Sequence, residues 1–101
     1  MSSPTRFYVE SQGIFIGILV GVKAQANVLE EHEPTILLEV VLNKPSYDQV
    51  QILAIRSPRR TYSCRVLRSL RVEQHGSNPN TVQFEVYVTS VVRNPTLTTP
   101  L

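Results

Sequence analysis

The sequence predicts a mainly β fold, with five antiparallel strands arranged as a small meander or a partly open barrel. Three observations support this prediction. Apolar residues alternate with a period of two in several segments, β-branched residues dominate those segments, and turn-forming residues separate them. With 101 residues, 42% of them hydrophobic and 18% charged, the chain is long enough for one globular domain with a single core.

The clearest strand pattern lies in residues 13–24, after a flexible leader (residues 1–6) and a short strand-like start at residues 7–10. Every even position from Ile14 to Val22 is apolar and β-branched, which is typical of one face of a strand. The glycines of this segment spell GxxxGxxxG, so a helix that packs through its glycines is the alternative. Because three glycines would destabilise a helix, we predict a strand with one continuous apolar face.

Four further strands are predicted at residues 35–42, 49–56, 62–73 and 81–93, ahead of a mobile tail at residues 94–101. The segment 49–56 has apolar side chains on both faces, which is typical of a central strand or of one covered by a partner. In the fourth strand Arg68 falls on the apolar face, which predicts a β-bulge or an open end there. A helix over residues 64–74 is the alternative. In the fifth strand the apolar even positions from Val82 to Val92 are predicted to face inward.

Strands with one apolar face, joined mostly by short turns, must curl or pair to bury that face. Residues 7–93 are therefore predicted to form one barrel-like domain. Its outline resembles the barrel of oligonucleotide-binding (OB) domains, although the likeness is one of fold and rests on no sequence motif.

A cluster of arginines defines the candidate functional site. Between residues 56 and 71 the chain has six arginines and no acidic residue, although the formal net charge of the whole chain is only +2. Arginine binds phosphate through a planar fork and stacks on bases, and an aromatic ring among the arginines is a candidate stacking platform. The predicted nucleic-acid-binding residues are Arg56, Arg59, Arg60, Tyr62, Arg65, Arg68 and Arg71. The alternative is a solvated hairpin whose arginine stems cover apolar surface.

Residues 56–60 (RSPRR) also resemble the RxxxR motif with which PilZ domains begin their cyclic di-GMP site. In that family a second element, [DN]xSxxG, follows the arginines. No such element follows Arg60 in this sequence, so the resemblance covers five residues.

The sequence predicts a protein that is not an enzyme and that has no cofactor or metal. Cys64 is the only cysteine, and its place on an apolar strand face is typical of a small core residue. His32 and His75 lie in loops, without the ligand spacing of a zinc site or a nucleophile motif. The acidic loop around His32 is expected to be solvated.

An intracellular location is predicted from two observations. The single cysteine leaves no internal disulfide framework, and the apolar run at residues 14–22 is about half the ~20 residues that a membrane-spanning helix needs. No membrane partner is therefore expected.

The predicted function is binding of nucleic acid, single-stranded DNA or RNA, through the arginine-rich hairpin. The alternative is a non-enzymatic assembly or adaptor protein that pairs strands or sheet faces with a partner. A homo-oligomer is expected in either case, because the segment 49–56 is apolar on both faces.

Overall fold

The computed structural model describes residues 6–25, 35–72 and 78–95. These residues form six strands, namely β1 (Tyr8–Ser11), β2 (Ile14–Gln25), β3 (Thr35–Leu42), β4 (Ile52–Arg56), β5 (Arg60–Arg71) and β6 (Thr81–Arg93). All neighbouring strands are antiparallel, and the order β1-β2-β3-β6-β5-β4 closes into a barrel through β1 and β4. The predicted mainly β barrel is confirmed. The helical alternatives for residues 13–24 and for the described part of 64–74 are wrong, because β2 and β5 occupy them.

Some predictions fall on segments outside the described residues. They concern most of the leader, the acidic loop with His32, the part of the last turn that contains His75, and the tail from Thr96 onward.

The chain order differs from one five-stranded meander. The short segment at the start forms β1, which turns tightly into β2 through Gln12 and Gly13, both with positive φ. Two three-stranded meanders, β1-β2-β3 and β4-β5-β6, are then joined along β3–β6 and along β1–β4. Both junctions pair residues that are distant in sequence, and this is why local alternation alone predicts the strands but not their closure.

The hydrophobic core lies inside the barrel. Its buried apolar residues come from every strand: Val9, Ile16, Leu38, Val40, Leu42, Leu53, Ile55, Cys64, Val82, Phe84 and Val86. Leu53 and Ile55 are thus used by the core of the single chain, whereas Ile52, on the other face of β4, is 61% exposed. One apolar face of the segment 49–56 is therefore buried in the core, whereas Ile52 on the other face is exposed to solvent.

Register shifts correct the predicted faces of β2. The pairing of β2 with β1 skips Ile16, and its pairing with β3 skips Val20. Each extra residue reverses the alternation that follows it. As a result Ile16 is buried, whereas Ile14, Val20 and Val22 are more than half exposed. The prediction of one continuous apolar face is wrong for this reason.

Register shifts also correct the faces of β5 and β6. The predicted bulge near Arg68 is confirmed between Val66 and Arg68, and it turns Arg68 outward opposite Glu85. A second shift, at Thr89 of β6, leaves Val92 on the outside, 56% exposed. Its predicted inward position is therefore wrong.

Candidate nucleic-acid interface

The predicted site lies at one end of the barrel, which we call the mouth, where β4 ends and β5 begins. A turn of three residues, Ser57 to Arg59, connects the two strands. The Ser57 amide donates to the Arg60 carbonyl (2.9 Å), and the Arg60 amide donates to the Ser57 hydroxyl oxygen (3.1 Å). The serine thus closes the turn on itself and holds Arg59 at an exposed tip.

Asn94, directly after β6, fixes this turn to the barrel. Its backbone N–H donates to the Arg59 carbonyl (2.8 Å), and its side-chain Nδ2 donates to the Ser57 carbonyl (2.8 Å). Its Oδ1 accepts from the Thr61 hydroxyl (2.8 Å). Three hydrogen bonds from one side chain and its amide therefore position the turn, and Asn94 was not identified from the sequence as part of the site.

The outer face of β1, β4, β5 and β6 continues from the turn. Residues that pair on neighbouring strands form rows across this face, which we call rungs. The three rungs are Tyr8–Arg56–Thr61–Val92, Glu10–Ala54–Ser63–Ser90 and Ile52–Arg65–Tyr87. The middle rung has only small side chains apart from Glu10, so the larger groups stand on either side of a shallow strip. Arg65 and Arg56 are both exposed on this face.

Three of the six predicted arginines have partners within the protein. Arg56 forms an ion pair with Glu10, and Arg68 forms one with Glu85 (Nε to Oε1, 2.7 Å). Arg71 lies at the far end of the barrel, where Nη2 donates to the Pro45 carbonyl (2.7 Å) and Nη1 to the Pro79 carbonyl (3.4 Å).

The other three arginines, Arg59, Arg60 and Arg65, are exposed and form no ion pair with any of the described residues. The mouth adds two arginines that the sequence prediction missed. Arg93 pairs directly with Arg60 across β5 and β6. Arg6 lies two residues before Tyr8, which pairs with Arg56, so the chain enters β1 at this end. Both lie outside the cluster in sequence, and only the strand pairing brings them to it.

The structure assigns different surroundings to the aromatic residues than the sequence suggested. Tyr62 is half-buried and lines a cavity inside the mouth, which suits packing better than base stacking. The exposed rings are those of Tyr8 and Phe15, which are 45% and 43% exposed. Their centroids lie 5.9 Å apart in an edge-to-face arrangement, beside Arg56. This pair is therefore the better stacking platform.

The cysteine and the potential metal ligands show no reactive arrangement in the described part of the chain. Burial raises the pKa of the Cys64 thiol to about 11, so the thiol is protonated at neutral pH and is a poor nucleophile. No group of three or more His, Cys, Asp or Glu residues among those described could hold a metal ion. No helix in residues 6–25, 35–72 or 78–95 is long and apolar enough to span a membrane.

The chain matches no protein-family model, no curated protein and no solved structure.

Proposed function

We propose that this protein is a small β-barrel module that binds single-stranded nucleic acid on the outer face of β1, β4 and β5. The main support is that unpaired arginines and an exposed aromatic pair occur on one side of the barrel: Arg65 is exposed on the outer face, Arg59 is exposed in the turn where that face ends, and the pair Tyr8–Phe15 borders the face at β1. Phosphates would bind to the arginines while unstacked bases lie on the rings. An intracellular location belongs to this proposal.

A single strand fits this face better than a duplex. Bases of a duplex are stacked on one another, so they cannot lie on protein rings, whereas a single strand presents its π-faces. The strip also has few side chains that could read base edges, since Ala54, Ser63 and Ser90 are short. We therefore expect little sequence preference and a large electrostatic contribution to affinity.

The salt dependence of oligonucleotide binding tests the arginines. With Arg59 and Arg65, which form no ion pair with the described residues, on phosphates, the slope of log K against log salt should be near −1.4, at roughly −0.7 per contact. Replacing Arg59 and Arg65 together by glutamine should flatten this slope by about 1.4 units, because two counterion-releasing contacts are lost. Fluorescence anisotropy with a labelled mixed-sequence 16-mer measures both slopes.

The matched control is Lys23→Gln with Arg71→Gln, which removes one positive charge from β2 and one from the far end of β5, where Arg71 donates to the Pro45 carbonyl. We expect its slope to stay within experimental error of the wild type. Equal flattening in both double variants would show that only net charge matters and would contradict the proposed interface.

The aromatic pair has a separate test. Tyr8→Ala or Phe15→Ala should weaken oligonucleotide binding by about 1–3 kcal/mol at an unchanged salt slope, because base stacking releases no counterions. Tyr8→Phe keeps the ring and should bind like the wild type. Both rings are slightly less than half exposed, so thermal unfolding must show that each alanine variant is still folded. A Tyr8→Ala variant with unchanged affinity would exclude stacking on this ring.

The adaptor function remains a second candidate because, among the described residues, one strand edge has no pairing strand. β3 pairs with β6 only from Thr81 to Val86, whereas β5 pairs with β6 as far as Arg93. No described strand pairs with the other edge of residues 87–93, and this edge could take up a strand of a partner or of a second copy. If this is the function, no oligonucleotide should bind the wild type more tightly than about 100 µM at physiological salt.

A further inference from the structure

The mouth of the barrel opens into an apolar cavity of about 470 Å³. Its wall includes Phe7, Leu19, Ile36, Ile55, Tyr62 and Val88. The volume lies within the ~300–1,000 Å³ of typical small-molecule pockets. Apolar cavities of this kind hold water poorly, because a buried water needs two to four polar partners. The cavity is therefore suited to an apolar group of small-molecule size.

Two arginines stand where this cavity meets solvent. The inward-facing rungs of β5 and β6 run from Cys64–Val88 through Tyr62–Val91 to Arg60–Arg93. The first two of these rungs line the cavity, and the third follows directly at the mouth. Both arginines are exposed.

The rung Arg60–Arg93 places two like charges directly opposite each other, which destabilises a strand pair. Neither guanidinium forms an ion pair with any residue in the described ranges. An anion between the two would remove this repulsion, and a carboxylate can accept paired hydrogen bonds from an arginine fork.

We propose that the mouth binds an amphiphilic monocarboxylate, with its alkyl chain in the cavity and its carboxylate between Arg60 and Arg93. A nucleobase is a poorer occupant, since the Tyr62 hydroxyl and the Cys64 thiol are the only polar side-chain groups in the described wall. Burying the polar edge of a base without partners would be unfavourable. This site is distinct from the outer face, and the inference does not depend on nucleic-acid binding.

Isothermal titration of the full chain with dodecanoate, dodecanol and dodecyltrimethylammonium, each below its micelle concentration and with no nucleic acid present, tests the proposal. We expect dodecanoate to bind at least about tenfold more tightly than dodecanol, as hydrogen bonds to charged groups predict. The cationic amphiphile should bind most weakly. Arg60→Gln with Arg93→Gln should remove the preference for dodecanoate and leave the dodecanol affinity unchanged.

Two further variants separate the cavity from its rim. Val88→Phe should weaken binding of both dodecanoate and dodecanol at least about tenfold, because the larger ring occupies the space of the alkyl chain. Urea unfolding checks that this variant is folded, and Leu19→Phe replaces it if it is not. Arg65→Gln, on the outer face, is the charge control and should bind dodecanoate like the wild type.

The proposal is overturned if the wild type binds dodecanol as tightly as dodecanoate, or if the cavity-filling variants keep full affinity. Absence of binding by all three amphiphiles overturns it as well. If the wild type binds none of the three amphiphiles and sediments as a dimer, we would conclude that a second copy of the chain contacts the cavity.

Discussion

Leu53→Ala is expected to lower the free energy of unfolding by about 2–5 kcal/mol. Leu53 is fully buried in the barrel core, so the substitution removes apolar contacts and leaves a cavity that its neighbours fill only in part. A domain of this size has roughly 5–15 kcal/mol of stability in total. Urea denaturation should therefore show a much lower midpoint at an unchanged m-value.

Ile52→Ala is the matched control, because Ile52 neighbours Leu53 on the same strand but is 61% exposed. Its expected effect is within about 0.5 kcal/mol, as for other surface positions. Similar losses at both positions, together with a change in sedimentation, would mean that the outer face of β4 is buried against a second copy.

Gly17→Ala is expected to destabilise the barrel by about 1–3 kcal/mol, or by more if the main chain has to move. A Cβ at Gly17 would overlap the Val41 carbonyl oxygen and would lie 3.0 Å from the Leu42 Cα. These are backbone atoms of the neighbouring strand, so β2 and β3 cannot relieve the overlap by a rotamer change. Thermal unfolding followed by circular dichroism measures the loss.

The control for this prediction is Gly21→Ala on the same strand. There the nearest atom to a new Cβ is the Glu39 Oε2, at 3.2 Å, which lies at the end of a flexible side chain. A small change in melting temperature is expected, since the glutamate can move aside. If Gly17→Ala and Gly21→Ala had the same melting temperature, the close approach of β3 would not explain why position 17 is a glycine.

Local sequence patterns predict much of the fold. The bounds of β3 and β6 agree with the predicted segments at both ends, because clean alternation of β-branched residues is interrupted there only by turns. Alternation failed where register shifts occur, as at Val20 and Thr89. A bulge depends on how two strands pair. The periodicity of one segment does not show which residues of the other strand it pairs with.

The candidate site was predictable in the same partial way. The cluster and the exposed turn tip at Arg59 follow from local sequence. The ion pair of Arg56 with Glu10, and the position of Arg93 opposite Arg60, depend on contacts between residues more than thirty positions apart. From the sequence alone, Arg56 is therefore predicted to be a free cation, and Arg93 is not predicted to belong to the site.

The two junctions between the three-stranded halves of the barrel differ in length. β3 and β6 share six paired positions, whereas β1 and β4 share three, Tyr8–Arg56, Val9–Ile55 and Glu10–Ala54. Transient opening should therefore begin at the shorter junction, where the fewest contacts must break. Tyr8 and Arg56 lie on either side of it. A strand of nucleic acid bound to Tyr8 of β1 and to Arg65 of β5 would span this junction, so that occupancy of the outer face and resistance to unfolding would rise together.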